Sequence, residues 1–168
     1  MKEMDSILLA GDEMYIQCRT STNPVDHPWL DPDDLPKNFE TLGVKRKLRV
    51  EHVGGGNYGM KNLCGAVSDT IKVGMSQSSR APQIEFHGFL FVGRSKTVSF
   101  WPGPEDSYYL YNSHCVSNEN AVEQCEKKGA ARLFLCDTTV SLSKLLLKDS
   151  ASDNNFWGVI RLVFTNLC

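Results

Sequence analysis

Hydrophobic and polar positions change period several times along the chain, and each change marks an element. Between 88 and 116 the residues read as three short strands in succession. Phe89 to Val92 is a continuous apolar run, suited to a strand covered on both faces. Gly93-Arg94-Ser95 turns the chain, and Thr97 to Trp101 follows with β-branched and aromatic residues. Pro102-Gly103-Pro104 breaks that strand before Tyr108 to Tyr111 forms the third. Short turns between consecutive strands imply an antiparallel meander, because parallel neighbours need longer crossovers.

The flanking segments extend this picture. Met4, Ile7, Leu8, Gly11, Met14, Tyr15 and Cys18 follow a helical period, so residues 1 to 19 are expected to be helical. Residues 20 to 43 carry four prolines and the acidic cluster Asp31 to Asp34, and are expected to form a surface loop. Leu48, Val50 and His52 alternate with Arg49 and Glu51, the pattern of a half-buried strand with His52 on the inner face. The glycines 54 to 56 then predict a flexible turn. A phosphate cradle is disfavoured, since the stretch has no Lys-Ser/Thr pair and no dinucleotide fingerprint. Asn62 is placed to cap a helix over 62 to 73 bearing Leu63, Val67 and Ile71. A Ser- and Gln-rich loop is expected at 75 to 83, and a helical turn at 119 to 127. Ala131 to Cys136 predicts another strand. Asp137-Thr138-Thr139 offers capping residues to a helix carrying Val140, Leu142, Leu145, Leu146 and Leu147, and 156 to 164 predicts the last strand. The fold class is α+β, one domain over 1 to 168, with an antiparallel sheet of about five strands and helices packed on it.

Composition narrows the function classes. At 168 residues, 41% hydrophobic and 23% charged, the chain can hold a real core. A net charge of -2 gives no nucleic-acid footprint, and no apolar run has membrane-spanning length. Neither nucleic acid nor membrane is expected as a partner, and no cofactor or metal motif is present. The acidic cluster at 31 to 34 lacks further carboxylates at ligand spacing. Six cysteines show no zinc-type spacing and no secretory context, so free thiols in an intracellular setting, cytoplasm or nucleus, are expected. Cys64 lies near a helix start, where a thiol pKa falls, but its apolar flanks favour a core residue.

One pair of residues carries candidate chemistry. Asn112 and His114 stand two apart at a strand end, and alternate residues of a strand share a face. An amide oxygen there could hold the imidazole Nδ1–H and fix its tautomer, as a cysteine protease requires of its third residue. Taken alone, Asn-x-His is more often a polar strand end entering a turn.

Several stretches together resemble a known family. Met4-Asp5-Ser6-Ile7-Leu8 followed by Gly11-Asp12-Glu13-Met14-Tyr15 resembles the helix after the active-site cysteine in the deubiquitinase domain of herpesvirus large tegument proteins, which have cellular tegument-like relatives. Phe89 to Val92 with Tyr109-Leu110-Tyr111-Asn112-Ser113-His114 resembles that family's sheet, which ends in Asp-x-His. Gly129 to Phe134 and the leucine helix after it resemble the region beyond the catalytic histidine. The resemblance implies a papain-like cysteine protease fold, a ubiquitin C-terminus as substrate, and ubiquitin or ubiquitinated protein as partner. His114 matches the catalytic histidine; Asn112 stands where the family usually has Asp. The family's nucleophile lies upstream of the Gly-Asp-x-x-Tyr helix. Cys18 follows that helix, and Cys115 would point to the strand face opposite His114, so neither matches the nucleophile. The resemblance thus implies a truncated domain or a pseudoenzyme, with a non-catalytic ubiquitin-binding or general protein-interaction module as the alternative.

Overall fold

The computed structural model describes residues 34–41, 43–78, 85–93, 96–116, 130–148 and 156–167, with side chains except at 96, 113–116, 130 and 131. Seven strands and two helices follow in the order β1 (Asn38–Thr41), β2 (Val44–Asn57), α1 (Leu63–Ser78), β3 (Glu85–Gly93), β4 (Lys96–Pro102), β5 (Tyr108–Val116), β6 (Ala130–Cys136), α2 (Thr139–Leu146) and β7 (Phe156–Asn166). The strands form one sheet in the order β1-β2-β7-β3-β4-β5-β6. The class is α+β, with more strands than the five or so expected. The meander holds: β3 pairs antiparallel with β4, β4 with β5, and β5 with β6.

Three elements depart from the expected layout. β1 lies in the stretch expected to be a loop. Its four residues alternate exposed and half-buried, and pair antiparallel with β2 from Asn38↔Lys47 to Thr41↔Val44. Gly43 supports the tight return with φ 74, a conformation that favours glycine. Second, Gly54 to Gly56 continue β2 rather than forming a turn. A Cβ on Gly55 would lie 2.4 Å from the carbonyl oxygen of Trp157, so glycine lets the β7 backbone approach. Third, α1 runs to Ser78, into the expected loop. The expected helix at 1 to 19 and helical turn at 119 to 127 lie outside the described residues.

The contacts divide the chain into two compact units: Met1–Val50 with Pro82–Phe86 and Val163–Cys168, and Glu51–Ala81 with His87–Leu162. In the first, Leu48 and Val163 are buried, and Phe39 meets Phe164 edge-on at 6.1 Å between ring centres. Leu167 N–H donates to Lys45 O at 2.8 Å, holding the end of β7 to β2.

The second unit holds the main core. Phe89 and Phe100 stack at 5.2 Å, and Leu110, Val67, Ile71, Leu142 and Leu146 close over them. Val67 and Ile71 stand four apart and share a helix face. Asn62 caps α1, its Oδ1 accepting from Gly65 N–H at 3.2 Å. Thr138 caps α2, its Oγ1 accepting from Ser141 N–H at 3.0 Å. The helices meet through a buried bond from Ser68 Oγ to Thr139 Oγ1, 3.0 Å. Such a bond satisfies hydroxyls that would otherwise be costly to bury.

Candidate functional site

β5 decides where the candidate dyad stands. Leu110 and Asn112 are both fully buried, so the period of two puts Asn112 on the core face, while Tyr111 is exposed between them. A primary amide is expensive to bury without hydrogen bonds. Asn112 is engaged, as the cost requires. Across the ladder it faces Arg132 on β6.

Beyond Asn112 the ladder becomes irregular. Asn112 pairs with Arg132 and the next pairing is Val116 with Ala130, four positions along β5 against two along β6. A bulge of this kind re-aims side chains and ends the strict alternation. The shared-face argument for Asn112 and His114 assumed an unbroken pleat. His114 belongs to β5 by its backbone, and its side chain, like that of Cys115, lies outside the described residues.

The other candidates separate clearly. Cys64 is a free, half-buried thiol on the first turn of α1, outside the buried cluster, so the expectation of a core residue does not hold. Leu63 and Ala66 of the first turn pack part-buried against that cluster, and the fully buried positions of the helix begin at Val67. Cys136 is free and buried, as expected of a core thiol. Burial pushes its pKa up, and the carboxylate of Asp137 adds to the shift, so it stays protonated. Asp137 itself is held below the usual carboxylate range, chiefly by the Ser141 hydroxyl, which donates to it at 2.5 Å. Burial raises the Tyr108 phenol, with a further contribution from Asp106. The remaining cysteine side chains, and Asp31 to Asp33, are outside the described residues. Among the described residues no group of three His, Cys, Asp or Glu could hold a metal, and no helix is long and apolar enough to cross a membrane.

Two features had no signal in the sequence. One is Arg132 opposite Asn112. The other is an ion pair between Arg161 on β7 and Glu51 on β2, with Nε to Oε2 at 2.8 Å and Nη2 on the same oxygen. Glu51 is half-buried while His52 is exposed, the reverse of the expected assignment. Val50 and Glu51 are both half-buried, so the alternation along β2 slips by one residue there, and Glu51 meets the buried Arg161.

No protein-family model matches the chain, and no curated protein matches it. A solved structure does. In fold, the chain is similar to a viral ubiquitin-specific protease. That structure is the protease encoded by murine cytomegalovirus tegument protein M48, in complex with a ubiquitin-based suicide substrate. The two share 15% identity at a TM-score of 0.65, over 97% of this chain and 67% of that one. At that identity the likeness is one of fold.

Proposed function

We propose that this chain is a tegument-type, papain-like ubiquitin-protease domain that engages ubiquitin but, as these 168 residues, does not cleave it. The observation that carries the reading is the likeness of fold to a ubiquitin-specific protease, extending over nearly the whole chain. The buried Asn112, set at the last regular rung before His114, supports it. In this reading His114 is the base, Asn112 orients it, and ubiquitin or a ubiquitinated protein is the partner inside the cell. None of the six cysteines falls where the resemblance places the nucleophile. A base alone could at best activate water, and amides resist that without a thiolate and an oxyanion hole. Losing the nucleophile costs on the order of 10⁶ in kcat.

The test incubates the purified chain with a ubiquitin C-terminal fluorogenic reporter and a thiol-reactive ubiquitin probe, and measures ubiquitin binding in parallel. The expected outcome is binding without cleavage or labelling. Labelling of Cys18 or Cys64 that His114→Ala abolishes would overturn the non-catalytic part. Absence of both binding and labelling would favour a general protein-interaction module.

A further inference from the structure

The turn between β2 and α1 sets a thioether beside a buried indole. β2 ends at Asn57, whose Oδ1 accepts from Gly59 N–H at 2.7 Å and whose carbonyl accepts from Met60 N–H at 3.3 Å. Asn57 thus closes the turn that brings Met60 back to the end of β2. A Cβ built on Gly56 would lie 3.0 Å from Met60 Sδ and 3.4 Å from Trp157 Nε1. The sulfur and the indole nitrogen therefore flank one spot, which no side chain of residue 56 fills. All three residues belong to the same compact unit, Glu51–Ala81 with His87–Leu162.

The two groups differ in exposure and in what they lack. Trp157 is 5% exposed, and its ring stacks on Phe91 at 6.4 Å between centres. Its Nε1–H is buried with no hydrogen-bond partner among the described residues. An indole nitrogen can only donate, and a thioether is a weak acceptor. The donor stays unsatisfied, which is costly inside a core. Met60 is 46% exposed, so solvent reaches its side chain. Met75, the other methionine among the described residues, packs part-buried against the core.

We infer that Met60 is a site of oxidation by peroxides, and that Trp157 Nε1–H holds the oxygen it gains. In the reaction a lone pair of Sδ attacks one peroxide oxygen. The S–O bond forms as the O–O bond breaks. The attacked oxygen gives up its proton to the one that leaves, as water or an alcohol. Sulfur loses two electrons to become a sulfoxide, and the peroxide is reduced by two. The sulfoxide oxygen is a better acceptor than the thioether and enters the spot that Trp157 flanks. Three rotatable bonds let the methionine side chain settle that oxygen at about 2.9 Å from Nε1. Oxidation usually disrupts methionine packing by making an apolar side chain polar. Here it supplies the acceptor that Trp157 lacks. The site uses none of the residues assigned to ubiquitin, and its test does not involve ubiquitin.

The experiment treats the full chain with hydrogen peroxide, follows each methionine by peptide mass mapping, and records the indole N–H signals by NMR. Trp157→Phe identifies the Trp157 signal among the three tryptophans, and through-space contacts to the Phe91 ring assign it independently. Met60→Leu keeps an apolar side chain of similar size and leaves the other methionines in place. Circular dichroism checks that each variant folds. Met60 is expected to oxidise several-fold faster than Met75. On oxidation the Trp157 N–H is expected to move downfield, and its exchange with solvent deuterium to slow about ten-fold, the factor that one net hydrogen bond gives. Met60→Leu is expected to show neither change. Oxidation is expected to lower the melting temperature of Trp157→Phe, where the sulfoxide meets no donor, more than that of the wild type. An unshifted Trp157 N–H with Met60 fully oxidised would overturn the proposal. So would faster exchange, which would mean that the sulfoxide opens the site. The same response in Met60→Leu would place the cause at another methionine and overturn it too. Met75 oxidising as fast as Met60 would remove the selectivity, and equal losses of melting temperature in wild type and Trp157→Phe would remove the bond.

Discussion

Replacing Glu51 by Ala is expected to strand the Arg161 guanidinium. Both Nε and Nη2 of Arg161 donate to Oε2 of Glu51, and Nη1 is buried with no hydrogen-bond partner among the described residues. The Arg161 side chain is only 10% exposed, so water cannot replace the lost acceptor. Breaking a fully buried ion pair by removing one partner costs about 3–5 kcal/mol. Glu51 keeps 29% exposure, which weakens the pair through solvent screening. The discounted cost of Glu51→Ala is about 2–3 kcal/mol. Arg161→Met in the same background removes the stranded charge and keeps an apolar stem, so the double variant is expected to lie within about 1 kcal/mol of wild type. Urea unfolding followed by circular dichroism reads all four corners of the cycle. A coupling energy below about 0.5 kcal/mol would refute the reasoning, because the two side chains would then be acting independently.

Gly55→Ala is expected to cost at least about 2 kcal/mol, since its Cβ would meet backbone that cannot swing aside. Gly54→Ala meets only the Thr70 side chain at 3.1 Å and is expected to melt within a few degrees of wild type, so equal melting temperatures for the two would count against the close approach of β7. Thr138→Ala is expected to cost about 1 kcal/mol by removing the cap of α2, with Thr138→Ser restoring most of it in the same denaturation assay. The raised Cys136 pKa means that folding favours the neutral thiol. Its contribution is intact below the unfolded thiol value, about 8.5, and is lost as pH rises through the folded one. Cys136→Ala should therefore flatten the alkaline limb of stability against pH. Asp137 has the opposite sign: its depressed pKa contributes above the unfolded carboxylate value and is lost as pH falls, so Asp137→Asn should flatten the acid limb. An unchanged slope in either variant removes that group from the pH dependence.

How much of this was written in the sequence follows from the range of the forces involved. The β3–β4–β5 meander was legible because each strand carries its own apolar run and the breaks between them are short. α1 was legible from Val67 and Ile71 at helical spacing, and its start from Asn62, whose cap reaches only three residues along the chain. Thr138 was legible for the same reason. Asn112 could be placed at a strand end, but not its burial or its position opposite Arg132, since both depend on a second strand. β1 exists because β2 is there to pair with it, and four prolines in the surrounding stretch outweighed a four-residue alternation. The glycines of β2 read as a turn until the Trp157 carbonyl lies against them. The Glu51–Arg161 pair joins residues 110 positions apart, and the alternation of β2 changes phase where Val50 and Glu51 are both half-buried. Periodicity and capping are local energies, so the sequence alone determined α1 and α2, the meander and the α+β class. Backbone approach, cross-strand partners and the bulge after Asn112 are contacts between distant segments, and only the tertiary structure decided them.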